Sequence, residues 1–165
     1  MALRDAVTLG STAHSSSGGT TTATDAYDND FSTSYGYEET HTGEGDYTIA
    51  RTVISEHTFA SARTIVQIRY RLYAKMTYTN LGSGSMTLKI EVNQGSGYIT
   101  VFSQSAGVAT VDTGAVTNDT GWTGVTAIKA TITGSVATDR DSSLSYQVYE
   151  VQAFYTIKKC YAGVI

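Results

Sequence analysis

The sequence predicts an all-β protein folded as a single antiparallel β-sandwich, and three observations carry that prediction. The 165 residues include no proline, and only 16% are charged, where about a quarter is usual. Thr and Ser together fill roughly a quarter of the chain, and Tyr supplies 12 aromatics against 4 Phe and 1 Trp. β-Branched and aromatic residues fit a pleated, half-buried surface, whereas the Leu, Glu and Lys that favour helices are scarce. Apolar residues also recur at every second position in several segments, the period of a strand with one wet face. A chain of this length makes one domain and buries roughly two-thirds of its unfolded surface. Residues 1–24 read as a flexible N-terminal arm and 25–165 as the sandwich domain.

The elements follow in order. Residues 11–24 are polar and of low complexity, which suits an extended arm or loop. Residues 25–46 are acidic, aromatic and rich in turn formers. Val66, Ile68, Tyr70, Leu72, Ala74, Met76 and Tyr78 then alternate with Gln67, Arg69, Arg71, Tyr73, Lys75 and Thr77. After a loop at 79–85 containing Gly82 and Gly84, Met86, Leu88, Ile90 and Val92 alternate with Thr87, Lys89, Glu91 and Asn93. Two such runs around a glycine-rich loop predict a long antiparallel hairpin. Residues 94–97 make the next turn and 98–102 the next strand. Ile128, Ala130 and Ile132 mark another strand that ends at Gly134, and 137–143 reads as a polar loop.

The last strand changes phase. Leu144, Tyr146 and Val148 are apolar at even positions, and Val151, Ala153, Tyr155 and Ile157 at odd ones. A slip of one residue at Tyr149-Glu150 predicts a β-bulge that re-aims Glu150. Seven or more strands with short turns indicate a sandwich or jelly roll. The missing proline removes one protection of edge strands, which fits edges covered by neighbours; Lys75 and Lys89 would protect them equally well.

Bulk properties exclude several classes. Net charge is −4 and the pI is near 5.2, without the basic face of a nucleic-acid binder. No apolar run is long enough for a membrane-spanning helix, so no membrane insertion is expected. The first residues, Met1-Ala-Leu-Arg-Asp-Ala-Val, lack the apolar stretch of a secretory signal, which predicts synthesis in the cytosol. The single cysteine, Cys160, rules out an internal disulfide. Stability then rests on the core, a bound ion or assembly with other chains.

Charge is uneven along the chain. Between Arg4 and Arg51 there is no Lys or Arg, yet the stretch holds Asp25, Asp28, Asp30, Glu38, Glu39, Glu44 and Asp46. Such crowding calls for solvent or a cation. The densest part is Ala26-Tyr27-Asp28-Asn29-Asp30-Phe31-Ser32-Thr33-Ser34-Tyr35. Two carboxylates two residues apart, with an amide between them and a Thr soon after, gather the hard oxygens that Ca²⁺ takes.

This stretch resembles the first long loop of galactose-binding-like jelly rolls, the discoidin and carbohydrate-binding-module type, which reads Ala-x-Asp-Gly-Asp/Asn-x-x-Thr-x-Trp. Asn29 stands where Gly is usual and Tyr35 where Trp is usual. The run Val148-Tyr149-Glu150-Val151-Gln152-Ala153-Phe154 is similar to the family's last strand. The resemblance implies a jelly roll in which Asp28, Asp30, the Thr33 carbonyl and Glu150 surround a structural Ca²⁺. The alternative reading of the same residues has Asp28 and Asp30 capping turns and Glu150 pairing with an Arg.

Other features point less sharply. His14, His41 and His57 are scattered, and no hydrolase-elbow, zincin or P-loop motif occurs, so the chain is expected not to be an enzyme. Asn118-Asp-Thr120 matches a glycosylation sequon. Tyr35, Tyr37, Tyr98 and Trp122 lie in or beside predicted loops, either stacking on a sugar or closing the core and filling subunit interfaces. The expected role is a structural or surface protein of an assembly: a virion decoration, fibre or tail component, homo-oligomeric and carried on a virion or extracellular particle. The runner-up is a calcium-containing carbohydrate-binding module whose partner is a glycan.

Overall fold

The computed structural model describes residues 34–79 and 82–156, together with two short strands before them. Among the described residues there are nine strands: β1 (Arg4–Thr8), β2 (Ala13–Ser16), β3 (Tyr35–His41), β4 (Tyr47–Tyr78), β5 (Gly82–Asn93), β6 (Tyr98–Ala106), β7 (Thr110–Asp112), β8 (Val116–Thr138) and β9 (Ser142–Thr156). No helix is found among the described residues, so the all-β expectation holds. Every pairing is antiparallel, in the order β1-β9-β4-β8-β5-β6, with β2 and β7 also on β4 and β3 on β9. Within the stretch read as an arm, β1 pairs with β9 and β2 with β4.

The alternating runs form strands with the predicted faces from Ile68 onward, whereas Val66, expected on the core face, is only partly buried and Ile65 is buried in its stead. Ile68, Tyr70, Leu72, Ala74 and Met76 are buried on β4, and Met86, Leu88, Ile90 and Val92 on β5. Their pairing differs from the prediction. β4 and β5 are not a hairpin, because β8 lies between them, with Ile132 opposite Val53 on one side and Leu88 on the other. Lys75 and Lys89 therefore sit on interior strands and guard no edge. Local alternation tells which residues face the core but not which strand lies next door. The predicted loops at 79–85 and 137–143 are also shorter, since β5 begins at Gly82, β8 runs to Thr138 and β9 begins at Ser142.

β4 is long enough to serve both halves of the sheet. Its first part pairs with β8 from Tyr47↔Thr138 to Thr58↔Ala127, and its second part pairs with β9 from Ile65↔Tyr155 to Tyr78↔Ser142. Register shifts between Thr58 and Gln67 separate the two parts. Buried positions accordingly change from odd (Ile49, Val53, Ser55) to even (Ile68, Tyr70, Leu72). The sheet thus folds over on itself. The Tyr146 ring from β9 ends against Gly134 of β8, Met76 of β4 meets Gly84 of β5, and the Tyr70 and Phe102 rings lie 5.2 Å apart. Each large aliphatic chain buried between the halves contributes about 1.5–3 kcal/mol.

The β5–β6 turn is the predicted one. Gly95 and Gly97 take φ of 90° and 131°, the left-handed region glycine tolerates, and the Asn93 side-chain oxygen accepts from the Gly95 N–H at 2.8 Å.

Candidate functional site

The phase slip in β9 is a bulge. Leu72 pairs with Val148 and Arg71 with Glu150, leaving Tyr149 as the extra residue. Ladder partners share a face, so Glu150 leaves the core face of Val148 and joins the opposite face beside Arg71. It is nonetheless fully buried. Arg71 forks onto Asp112 of β7, Nε to Oδ1 at 3.1 Å and Nη2 to Oδ2 at 2.8 Å, and its guanidinium lies 4.2 Å from the Tyr149 ring centre. The Arg71 hydrogen bonds outweigh burial and hold the Asp112 carboxyl below its ordinary value.

A buried carboxylate suits a hard cation, so Glu150 fits the donor chemistry of the calcium set. Asp28, Asp30 and Thr33 lie outside the described residues. Among the described residues, no three His, Cys, Asp or Glu side chains are grouped as metal ligands.

A row of alternating charge crosses the first half of the sheet. Glu56 of β4 stands opposite Lys129 of β8, which stands opposite Glu91 of β5. Glu91 accepts from Lys89 at 2.7 Å and pairs with Lys129 at 3.2 Å. Burial raises the Glu91 carboxyl, but the two lysines outweigh it and the group lies below its ordinary value. Tyr98 closes the row: its hydroxyl donates to Glu56, and the Lys129 ammonium lies 3.6 Å from its ring centre. Burial and the Glu56 carboxylate push the Tyr98 phenol up. The signal for this row was present in the sequence, as charges on the outward positions of three strands, but it needed the strand order to be read.

A second cluster joins β3 to the start of β4. The Arg51 guanidinium pairs with Glu39 at 2.8 Å and donates from Nε to the Tyr37 hydroxyl at 2.9 Å. Glu39 also accepts from the Tyr37 and Tyr47 hydroxyls, and His41 stacks on Tyr47 with ring centres 3.9 Å apart. Burial raises the Glu39 carboxyl, but these donors and Arg51 outweigh it and bring it below its ordinary value. Beside the cluster, Asp46, Tyr47, Thr48, Ser83, Thr138 and Asp139 line an open groove of about 600 Å³. Of these groove residues the sequence marks only Asp46, as one of the acids crowded between Arg4 and Arg51.

The end of the strand order has a different character. No described strand pairs with the outer side of β6. Residues 92–111, which include all of β6, contain no Asp, Glu, Lys, Arg or His. Among the described residues, the exposed large hydrophobics are Ile99 on β6 and Val108 just beyond it, 46% and 42% accessible. At the other end, β3 carries Glu38, Glu39 and His41, and β1 carries Arg4 and Asp5.

Of the four aromatics singled out from sequence, Tyr37, Tyr98 and Trp122 are not gathered into one platform. Tyr37 is buried in the Arg51 cluster, Tyr98 caps the charged row, and Trp122 packs half-buried against the core where β8 meets Ile65. Tyr35 pairs through its backbone with Val148. His57 meets Phe59 edge-on, and His14 stands opposite Ser55. Asn118 donates its amide to the Tyr70 hydroxyl at 3.4 Å. Cys160 lies outside the described residues. No described helix is long and apolar enough to cross a membrane.

No protein-family model matches the chain, and no curated protein matches its sequence. Among solved structures, the crystal structure of Yersinia pseudotuberculosis-derived mitogen is similar at 17% identity, covering 71% of this chain and 85% of that one, with a TM-score of 0.30.

Proposed function

We propose that the chain is a non-enzymatic structural or surface subunit of a larger assembly, of the virion decoration, fibre or tail kind. The observation that carries this reading is the β6 edge. Charge and proline are two of the ways in which proteins that stay monomeric guard their edge strands. β6 has neither, and Ile99 and Val108 are exposed on and beside it. Its charge-free edge belongs to a chain of net charge −4, in which Glu39, Glu91 and Asp112 pair with cations of the same chain. Such an edge suits contact with another subunit.

The reading includes a jelly roll of the galactose-binding-like type and a structural Ca²⁺ held by Asp28, Asp30, the Thr33 carbonyl and Glu150. The burial of Glu150 behind the bulge supports the ion. Bound there, Ca²⁺ would supply positive charge to the acidic stretch and tie the first loop to β9.

A second reading, glycan binding, is favoured by the groove beside Tyr47, where an aromatic side chain, hydroxyls and the carboxylates of Asp46 and Asp139 line one depression. Light scattering on the full chain, together with a glycan array, separates the two. An oligomer without glycan binding is the expected result, and a strict monomer that binds a glycan would overturn the order.

A further inference from the structure

Resting on the reading of the chain as an assembly subunit, we infer that its partner at the β6 edge is a second copy of the same chain, paired antiparallel strand to strand about a twofold axis. The exposed edge of a sheet offers a row of backbone N–H and C=O groups whose natural complement is another strand. In a twofold contact every residue meets a residue from the same patch, so a charge on the strand faces a like charge nearby. Two copies of net charge −4 repel wherever their acids approach, and residues 92–111 carry none. The opposite edge, with Glu38 and Glu39 on β3, lacks this self-compatibility.

The register follows from a bulge. Ile90 pairs with Phe102 and Glu91 with Thr100, so Val101 is the extra residue on β6. A bulge interrupts the ladder, and the regular stretch beyond it runs from Phe102 to Ala106, centred on Gln104. Twofold pairing of that stretch sets Gln104 against the other Gln104, Ser103 against Ser105, and Phe102 against Ala106. Directly opposed side chains lie about 4.5–5.5 Å apart at Cβ, a spacing that amides and small hydroxyls fill without conflict. The half of the sheet made by β4, β8, β5 and β6 then continues unbroken into its copy.

The test is symmetric cross-linking of the full chain in a Cys160→Ser background. Gln104 is exposed, so Gln104→Cys leaves the core intact, and Thr40→Cys, exposed on β3 at the opposite edge, is the control. With a short bismaleimide, Gln104→Cys is expected to give more than about tenfold more linked dimer than Thr40→Cys, because the interface raises the effective concentration of the two thiols. An oligomer whose Gln104→Cys form links no better than the control overturns this inference and leaves the assembly reading standing. A chain that is monomeric by light scattering at every concentration overturns both.

Discussion

The Tyr146 hydroxyl rests against Gly134, side chain on backbone, where the two halves of the folded sheet face each other. Both residues occupy interior strands, and a Cβ at Gly134 would also press on the Ser85 carbonyl at 2.8 Å and on Met86. The hydroxyl itself is buried and finds no hydrogen-bond partner among the described residues. The position demands glycine because of close approach.

Gly134→Ala is therefore expected to lower stability by about 2–3 kcal/mol through overpacking. Tyr146→Phe removes an unsatisfied buried hydroxyl and should be neutral or stabilise by about 1 kcal/mol. The double variant should recover part of the Gly134→Ala loss, the remainder being the Ser85 and Met86 contacts. Chemical denaturation of the four proteins checks this, and strict additivity would contradict the contact.

Acid should weaken the fold through Glu39 and Glu91. Both carboxyls have folded-state pKa values below their ordinary value, Glu91 through Lys89 and Lys129, Glu39 through Tyr37, Tyr47 and Arg51. A depressed carboxyl contributes stability that is present above the unfolded value, about 4.3, and is lost as pH falls through the folded value. The melting temperature is expected to drop between about pH 5 and pH 3 more steeply for wild type than for Glu91→Gln. Parallel profiles would show that the charged row contributes nothing to the acid response.

A chelator tests the ion. A ligand bound only by the native state raises stability by mass action, so removing Ca²⁺ should lower the melting temperature and adding it back should restore it. Asp28→Asn and Asp30→Asn should each abolish the response. A melting temperature indifferent to chelator would remove calcium from the account.

The strand faces were legible in the sequence because alternation is local: Ile68 to Met76 and Met86 to Val92 announce their own buried sides. The β9 bulge was legible for the same reason, as a slip in the apolar phase around Tyr149. The equivalent slip in β4 is not legible in the sequence, since Phe59-Ala60-Ser61-Ala62-Arg63-Thr64 carries too few large apolar residues to show a phase. Strand order was not legible. A glycine-rich link between two alternating runs looks like a hairpin whether or not β8 slides between them. The Glu56–Lys129–Glu91 row depends wholly on that order, and so does the identity of β6 as an edge. Of the expected ion site, only Glu150 falls within the described residues, and the bulge decides which face of β9 it takes.

Self-assembly through β6 is tested most directly by sedimentation equilibrium over a range of concentrations, comparing the wild-type chain with Ser103→Lys/Ser105→Lys. Both serines are exposed, and the paired register would set the new ammonium groups against each other. The account predicts a wild-type mass that is a multiple of 17.6 kDa and a variant that returns to 17.6 kDa with its fold unchanged. A wild-type mass of 17.6 kDa at every concentration, or a variant that keeps the wild-type oligomer, would contradict it.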